Sequence, residues 1–268
     1  MSKTSGRKEK LQSRTNLDAI STSQKDNSWD DLYNALIESE YHYFHTENGV
    51  LLCGDCLEVM KEIPDKSIDL VIADPPYSTP VITAYGRRKE RNYGDLSIQR
   101  NFFLQIKHEL ENILNKQSAV FMFCDARSYP VLYEVFYIWE TGQLLIWDKT
   151  RIGMGSPFRK QYELIYFLSP DRNLLFKNGK SYSDILRYKP VPSKKKFLGS
   201  QKPLLLVREL IEAFSNENAL ILDPFLGSGT TAVACEQLNR KWIGIEISEK
   251  YCGIARQRLM QRKISEVI

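Results

Sequence analysis

The sequence predicts an α/β fold built on a doubly wound, mostly parallel sheet of seven strands. Short apolar runs alternate with segments of helical periodicity along most of the chain, and this order favours parallel strands joined by helical crossovers. Most of the runs are continuously apolar, as expected of strands that are covered on both faces. Because ligands bind beyond the carboxyl ends of the strands in such sheets, the loops that follow strands are the first place to search for functional residues.

Each predicted strand corresponds to one apolar run: Val50–Cys53, Ile68–Ala73, Ala119–Cys124, Leu144–Trp147, Leu164–Leu168, Ala219–Leu222 and Trp242–Ile245. Six helices are predicted between or after them: Leu57–Ile63, Ile98–Leu114, Tyr129–Tyr137, Leu204–Phe214, Thr230–Leu238 and Glu249–Gln261. A further helix is predicted from Ser28, a candidate N-cap, through Glu40, because acidic residues follow the cap and apolar residues share one face.

Two long segments interrupt the alternation, Ser78–Arg100 and Ser169–Ser200. Loops of this length inside a compact domain are usually functional or disordered. The polar stretch 1–27 has no hydrophobic period and is predicted to be a disordered or loosely ordered N-terminal arm. Residues 28–268 are predicted to form a single domain.

The composition is that of a soluble globular protein, with 43% hydrophobic residues, 26% charged residues and a net charge of +4. No apolar run approaches the roughly 18 residues that a membrane span requires. The N-terminus lacks the apolar segment of a signal peptide. A cytoplasmic location is therefore expected, and the small net charge does not by itself indicate a nucleic-acid partner.

The five cysteines are an odd number, and several lie within apolar runs. This pattern favours reduced, packed thiols over a disulfide framework. Cys53 and Cys56 have the C-x-x-C spacing of zinc and redox sites, but the chain contains no second such pair and no suitably spaced histidine pair. No metal site is predicted.

The loop after the strand Ala219–Leu222 reads Asp-Pro-Phe-Leu-Gly-Ser-Gly-Thr-Thr-Ala over residues 223–232. Its G-x-G-x-x-A spacing matches the dinucleotide-binding fingerprint, and Glu246 ends the next strand, where a ribose-binding acid belongs. A phosphate-binding P-loop is excluded because no lysine follows the second glycine. The alternatives are a purely structural turn and, for Glu246, a solvated acid at a strand end.

The loop after the strand Ile68–Ala73 reads Asp74-Pro75-Pro76-Tyr77. The prolines remove two backbone donors and stiffen the loop, so the Asp74 carboxylate and the Pro75 carbonyl are suited to accept both hydrogens of one amino group. Two such acceptors favour a tetrahedral nitrogen whose lone pair points at a methyl donor, and Tyr77 offers a face for stacking a planar base. The alternative is a turn that merely ends the strand.

Taken together, these motifs resemble those of DNA amino-methyltransferases of the N6-adenine or N4-cytosine type. The order resembles the permuted β class, in which the catalytic loop precedes the cofactor loop. Residues 74–77 match the family's [DNS]-P-P-[YFW] motif, and residues 223–231 match its motif for S-adenosyl-L-methionine (AdoMet). Three other stretches look like family sequence: Gly54-Asp55, Gln201-Lys202-Pro203, and Trp147-Asp148-Lys149 with Gly153–Ser156. The resemblance covers roughly residues 50–259 and implies the Rossmann-like fold of AdoMet-dependent methyltransferases.

The resemblance implies AdoMet as cofactor and a direct in-line transfer, with no metal and no covalent enzyme intermediate. Catalysis is expected from Asp74, Pro75, Pro76 and Tyr77. Glu246 is expected to bind the ribose hydroxyls, Asp55 the adenine amine and the Cys56 backbone the adenine ring. Asp223 and the turn 227–231 are expected to hold the methionine moiety, with Lys202 alongside. The remaining expected cofactor-binding residues are therefore Lys202, Asp223, Phe225, Gly227, Ser228, Gly229, Thr230 and Thr231.

The resemblance also implies a target base that is flipped out of double-stranded DNA. Aspartate at the first motif position favours adenine N6, with cytosine N4 as the alternative. Residues 169–200 are the candidate target-recognition segment. Phosphate contacts are expected from two basic runs, for which a solvated charged loop is the alternative: Arg87, Arg88, Arg91, Lys194, Lys195 and Lys196. A restriction endonuclease and a second copy of the chain are further candidate partners, and no membrane partner is expected.

Three other readings remain open from the residues. An NAD-type dehydrogenase fits the glycine loop and Glu246 but gives residues 74–77 no role. RNA or protein amino-methyltransferases share the [ND]-P-P-[YF] motif, but usually carry the two loops in the reverse order. A non-catalytic DNA-binding subunit is disfavoured because both loops are intact.

Overall fold

The computed structural model describes residues 29–76, 96–172, 174, 181–192, 194, 196–197, 199 and 201–265. Within these ranges, nine strands form one sheet in the order β1-β2-β9-β8-β3-β4-β6-β5-β7. Their bounds are β1 His42–His45, β2 Gly49–Cys53, β3 Ile68–Ala73, β4 Leu114–Cys124, β5 Thr141–Asp148, β6 Tyr162–Ser169, β7 Ile185–Arg187, β8 Leu220–Asp223 and β9 Lys241–Glu246.

The predicted doubly wound, mostly parallel sheet is confirmed, and all seven predicted strands are present, Ile68–Ala73 with the predicted bounds and the other six with shifted bounds. The five neighbours from β2 to β4 run parallel, whereas β6 is antiparallel to both β4 and β5. The prediction missed the edge strands β1 and β7. Strand β1 lacks an aliphatic run, and β7 has three residues within the segment 169–200, so that segment is not wholly a loop.

Helices connect the strands, with bounds α1 29–38, α2 Cys56–Val59, α3 Leu96–Ile113, α4 Ser128–Phe136, α5 Leu204–Phe214, α6 Thr230–Leu238 and α7 Glu249–Ser265. The predictions for α5 and α6 are confirmed to the residue. The predicted helix Leu57–Ile63 is wrong in its second half, because α2 makes one turn and the 3₁₀ turn Met60–Glu62 follows it. The predicted loop 78–100 is wrong at its end, which belongs to α3. Its other residues, 78–95, lie outside the described part of the chain, as do 1–28.

Helices pack on both faces of the sheet. Successive side chains along each strand point to opposite faces, so the buried residues form two apolar layers, one on each side of the sheet. In β3, Val71 and Ala73 join the layer beneath α1–α4, whereas Leu70 and Ile72 join the layer beneath α5–α7. The parallel strands therefore end at one common edge between two helical layers, where the loops that follow them meet. No helix within the described ranges is long and apolar enough to cross a bilayer.

Candidate active site

A cavity of about 640 Å³ opens at the carboxyl edge of the parallel strands. The loops after β2, β3, β8 and β9 and the start of α5 line it. Among its lining residues are Asp55, Cys56, Asp74, Pro76, Lys202, Asp223, Phe225, Gly227, Ser228, Thr230, Thr231 and Glu246. The structure thus brings together most of the residues that the sequence analysis assigned to the catalytic and cofactor loops.

The Asp74 carboxylate lies directly after β3 and forms an ion pair with Lys202, whose ammonium nitrogen is 2.6 Å from Asp74 Oδ2. The Lys202 side chain is only 7% exposed, and its nitrogen also lies 3.3 Å from Glu163 Oε2 and 4.9 Å from the centre of the Phe123 ring. Because these two carboxylates outweigh the effect of burial, the pKa of Lys202 is raised and the side chain stays charged.

The chain of charges continues from Glu163 to Lys149, whose nitrogen is 2.6 Å from Glu163 Oε1. Burial opposes ionisation of Glu163, but Lys202 and Lys149 together lower its pKa below the ordinary value. Glu163 is a site residue that the sequence analysis missed. The position of Glu163 in this group of charges depends on the antiparallel pairing of β5 with β6, in which Trp147 lies opposite Glu163. This pairing cannot be read from spacing along the sequence.

The turn after β8 uses two glycines in the left-handed region, with φ of 55° at Gly227 and 79° at Gly229. A Cβ atom at Gly229 would lie 2.9 Å from the Cβ of Ala255 in α7. Both the backbone conformation and the contact with α7 therefore require glycine at position 229. The turn leads directly into α6, which begins at Thr230, and the N-terminus of that helix lies beside the cavity.

Glu246, the last residue of β9, joins this turn to its own strand end. Its Oε2 accepts a hydrogen bond from the Gly227 amide at 2.9 Å, and its Oε1 accepts one from the Ser248 amide at 2.8 Å. Its backbone carbonyl accepts from the Gly54 amide at 3.1 Å, which brings the loop of Asp55 to the same place. Burial raises the pKa of Glu246, and the bonds from backbone amides oppose that rise.

Asp223 lies at the end of β8 and is buried. Its Oδ1 accepts a hydrogen bond from the Phe225 amide at 2.9 Å, and the Thr231 side chain bonds the same carboxyl. Burial nevertheless raises the pKa of Asp223 to about 7. A carboxyl with this pKa gains its charge near neutrality, which suits a residue that meets a cationic ligand.

Asp55 caps α2 and accepts a hydrogen bond from the Leu57 amide at 3.1 Å. Two aromatic rings that line the cavity, Phe102 and Phe225, lie 6.0 Å apart. Phe102 was not predicted as a site residue, because it belongs to the apolar period of α3 and carries no signal that distinguishes it from core.

Arg258 of α7 was also missed and supports the glycine turn from outside. Its guanidinium donates to the Ser228 carbonyl, to the Ser228 hydroxyl at 3.0 Å and to the Thr230 hydroxyl at 3.2 Å. Burial lowers the pKa of Arg258 to about 10. An arginine in a polar helix gave no sequence signal of this contact.

Several predicted residues cannot be placed at the cavity. Tyr77, Arg87, Arg88, Arg91 and Lys195 lie outside the described residues. Lys194 is exposed and Lys196 is half-buried. All five cysteines are free thiols, four of them buried. No group of three or more metal-binding side chains occurs in the ranges that the structure describes.

A family model described as DNA methylase, N6_N4_Mtase, matches residues 68–257. The Type II methyltransferase M.HpaI of Haemophilus parainfluenzae is 27% identical over 78% of this chain and 73% of its own length. The DNA adenine methyltransferase YhdJ of Escherichia coli K12 is 26% identical over 81% of this chain and 84% of its own.

Solved structures show the same fold. The PvuII DNA methyltransferase, described as cytosine-N4-specific, superposes with a TM-score of 0.68 at 17% identity and covers 82% of this chain and 89% of its own. The complex of M1.HpyAVI with SAM superposes with a TM-score of 0.58 at 22% identity, covering 78% of this chain and 98% of its own.

Replacing Asp223 with asparagine is expected to stabilise the ligand-free protein above neutral pH. The pKa rises from 3.8 to about 7 on folding, so the folded state holds a proton that the unfolded state has lost, and wild-type stability falls as the pH rises through this window. Urea unfolding should show Asp223→Asn gaining on wild type by about 2–4 kcal/mol between roughly pH 4 and pH 8. Asp65→Asn, at an exposed turn, is the control, and a gap independent of pH would contradict the expectation.

Replacing Lys202 with methionine is expected to lower the free energy of unfolding by about 3 kcal/mol, because two carboxylates lose the buried cation between them. Lys149→Met is the matched variant. The Lys149 side chain is 23% exposed against 7% for Lys202, so its loss should cost about 1 kcal/mol. Chemical denaturation of both variants measures the difference. Equal losses would mean that the Asp74–Lys202 contact has no special role in stability.

Proposed function

The chain belongs to the N6/N4 family of DNA methylases, and on this premise we propose that it transfers the methyl group of AdoMet to the N6 amino group of adenine in duplex DNA. The observation that carries the proposal is the arrangement of Asp74, Asp223 and Glu246 around one cavity. In this proposal Asp74 serves the reacting end of the cavity, and Asp223 and Glu246 bind the cationic nucleoside.

The residues of the cavity fit AdoMet, which carries a sulfonium, an ammonium, a carboxylate, a ribose diol and an adenine. The Glu246 carboxylate accepts the backbone amides of Gly227 and Ser248, and with about four acceptor positions it keeps capacity for a ribose hydroxyl. Asp223 suits the cationic methionine moiety. The N-terminus of α6 suits its carboxylate, because unpaired amides there favour an anion. Phe102 and Phe225 offer apolar faces for the adenine, whose amine lies within the reach of Asp55 in this proposal.

AdoMet supplies an electrophilic methyl group on sulfur with its own leaving group. The protein positions the nucleophile. An ionised carboxylate has about four acceptor positions, so the bond from Lys202 holds Asp74 in orientation without exhausting its acceptor capacity. Asp74 and the Pro75 carbonyl accept the two hydrogens of the target amine, and the nitrogen lone pair turns towards the methyl group.

Positive charge develops on the amine nitrogen as its bond to the methyl carbon forms and the sulfur–methyl bond breaks, and the Asp74 carboxylate is the anion nearest to it. The nitrogen becomes neutral again by releasing one of its protons, either to Asp74 or directly to water. Catalysis in this scheme is positioning and electrostatic stabilisation, without a covalent intermediate. Tyr77 stacks on the target base once the base has left the duplex, which recovers part of the cost of flipping it out.

Adenine is favoured over cytosine by the aspartate that begins the motif. Cytosine N4 is the second candidate, and the fold is shared with a cytosine-N4-specific enzyme. The order of the two loops, with Asp74 before Gly227, supports the permuted β class. The segment 169–200 then recognises the target sequence, while Lys194 and Lys196 contact phosphates. A restriction endonuclease that shares the target site accompanies the enzyme in this proposal, as the Type II relative suggests.

Incubation with labelled AdoMet and unmethylated duplex DNA, followed by nucleoside mass spectrometry, tests the assignment. N6-methyladenine is the expected product. If N4-methylcytosine is found instead, the second candidate, transfer to cytosine N4, is correct. Label in neither nucleoside would overturn the proposal. Single-stranded RNA of the same sequence is the control substrate.

Asp74→Ala is expected to reduce the methylation rate by roughly 10²–10³-fold, because an electrostatic contact made to the reacting atoms is lost. AdoMet binding, measured by calorimetry, should change little, because the cofactor contacts proposed above do not involve Asp74. Glu246→Ala should show the reverse pattern, with weakened AdoMet binding. Equal loss of both properties in Asp74→Ala would count against a catalytic role.

A further inference from the structure

The connection between β5 and β6 is a braced hairpin, residues 150–161, which we call the hairpin arm. The Gly153 amide donates to the Lys160 carbonyl at 2.7 Å, and the Lys160 amide donates to the Met154 carbonyl at 3.2 Å. The Arg159 guanidinium donates to the Gly153 carbonyl at 2.7 Å. At the base, Asp148 Oδ1 accepts from the Thr150 amide and from the Gln161 side chain. These bonds brace the hairpin arm from its base to its tip.

Two apolar side chains on the hairpin arm are almost fully exposed. Phe158 is 91% exposed and Met154 is 88% exposed, the highest values among the large hydrophobic residues of the described ranges. A single exposed apolar side chain needs no explanation. Two of them at the tip of a braced hairpin leave apolar surface in water at a fixed position, which marks a site of contact with another molecule.

The charge of the hairpin arm identifies the kind of partner. From Lys149 to Tyr162 the sequence holds four basic residues and no acidic residue, and Arg151, Arg159 and Lys160 are exposed. The flanking acids face inward, because Asp148 bonds the base of the arm and Glu163 pairs with Lys149 and Lys202. A rigid basic surface with apolar tips suits a polyanion that carries flat apolar groups.

The hairpin arm also lies at the edge of the sheet where Asp74 lies. Strand β5 is antiparallel to β6, which is antiparallel to β4, so β5 ends at the same edge as β3 and β4. Lys149 at the base of the arm is connected to Asp74 through Glu163 and Lys202. Lys196 extends the basic surface. Burial is the main cause that lowers the pKa of Lys196, and the nearby cations of Lys149 and Arg151 lower it further.

We infer that the hairpin arm contacts the duplex beside the target base, with its cations on the phosphates and Phe158 occupying the space that the flipped base vacates. This inference rests on the proposed function and adds to it the surface that holds the opened duplex. A second copy of this chain is a poorer occupant, because two identical basic arms would repel one another.

The charge contribution is tested with Arg151→Gln/Lys160→Gln, which leaves the bracing Arg159 in place. DNA affinity near 0.1 M salt should fall at least tenfold, and the slope of log affinity against log salt should shrink by about 0.9 for each cation removed. The matched control is Lys66→Gln/Lys116→Gln, which removes two exposed cations beside the amino ends of β3 and β4, at the opposite edge of the sheet. This control should keep the wild-type affinity and slope.

The role of Phe158 is tested with Phe158→Ala on two substrates. On fully paired DNA the methylation rate should fall roughly fivefold or more, since stacking on a base is lost. On DNA with an abasic position opposite the target adenine, the rate should return towards wild type, because the base is already unpaired. Tyr137→Ala, which removes a 67% exposed aromatic side chain just after α4, is the control and should match wild type on both substrates.

The inference is overturned if the arm variants behave like their controls while the wild-type protein methylates DNA. Equal loss by Phe158→Ala on both substrates would remove the role assigned to that ring. A change in sedimentation of the variants without DNA, at unchanged DNA affinity, would assign the arm to self-association instead. Absence of methylation by the wild-type protein is a failure of the proposed function and is seen separately.

Discussion

The ion pairs of the Lys202 ammonium hold together the end of the cavity at which Asp74 lies. The ammonium is buried between Asp74 and Glu163, and it joins the end of β3, the start of β6 and the segment that enters α5. The residues of the Asp74–Lys202 pair are 128 positions apart in sequence. A buried charge requires opposite charges at short range, so these two ion pairs favour one relative position of the three segments. The orientation of Asp74 is therefore a property of tertiary structure, and the rigidity of its prolines is only part of it.

The other end of the cavity depends on backbone amides instead. Glu246 is fixed by the Gly227 and Ser248 amides, and the Gly227 amide is available because the left-handed turn points it inward. Asp223 is buried, and its hydrogen bonds with Thr231 and Phe225 only partly offset the unfavourable burial of its charge, so its pKa is raised. The site thus combines groups that stabilise the fold with groups that destabilise it. Groups of the second kind oppose folding, and the ligand-binding role proposed for Asp223 gives a reason for keeping such a group.

Much of the fold was predictable because continuous apolar runs, helix periods and strand-end loops are local signals. The central strands, α5 and α6 were located from such signals, as were the two loops at the cavity. The edge strands β1 and β7 were missed because they bury little. The ion-pair partners were missed for another reason. Glu163 and Arg258 act through contacts across the sheet and across helices, and neither strand register nor helix orientation can be read from spacing along the chain.

The order of strands has a consequence for synthesis of the chain. Strands β8 and β9 lie between β2 and β3 in the sheet, although they are translated after β7. While the polypeptide is still emerging from the ribosome, β2 and β3 have no partner on their facing edges, and the middle of the sheet is a gap. Such long-range pairing is slow and leaves apolar strands accessible in the meantime. The last quarter of the chain closes this gap and brings Asp223 and Glu246 with it, so a nascent chain completes its sheet and its ligand pocket in one late event.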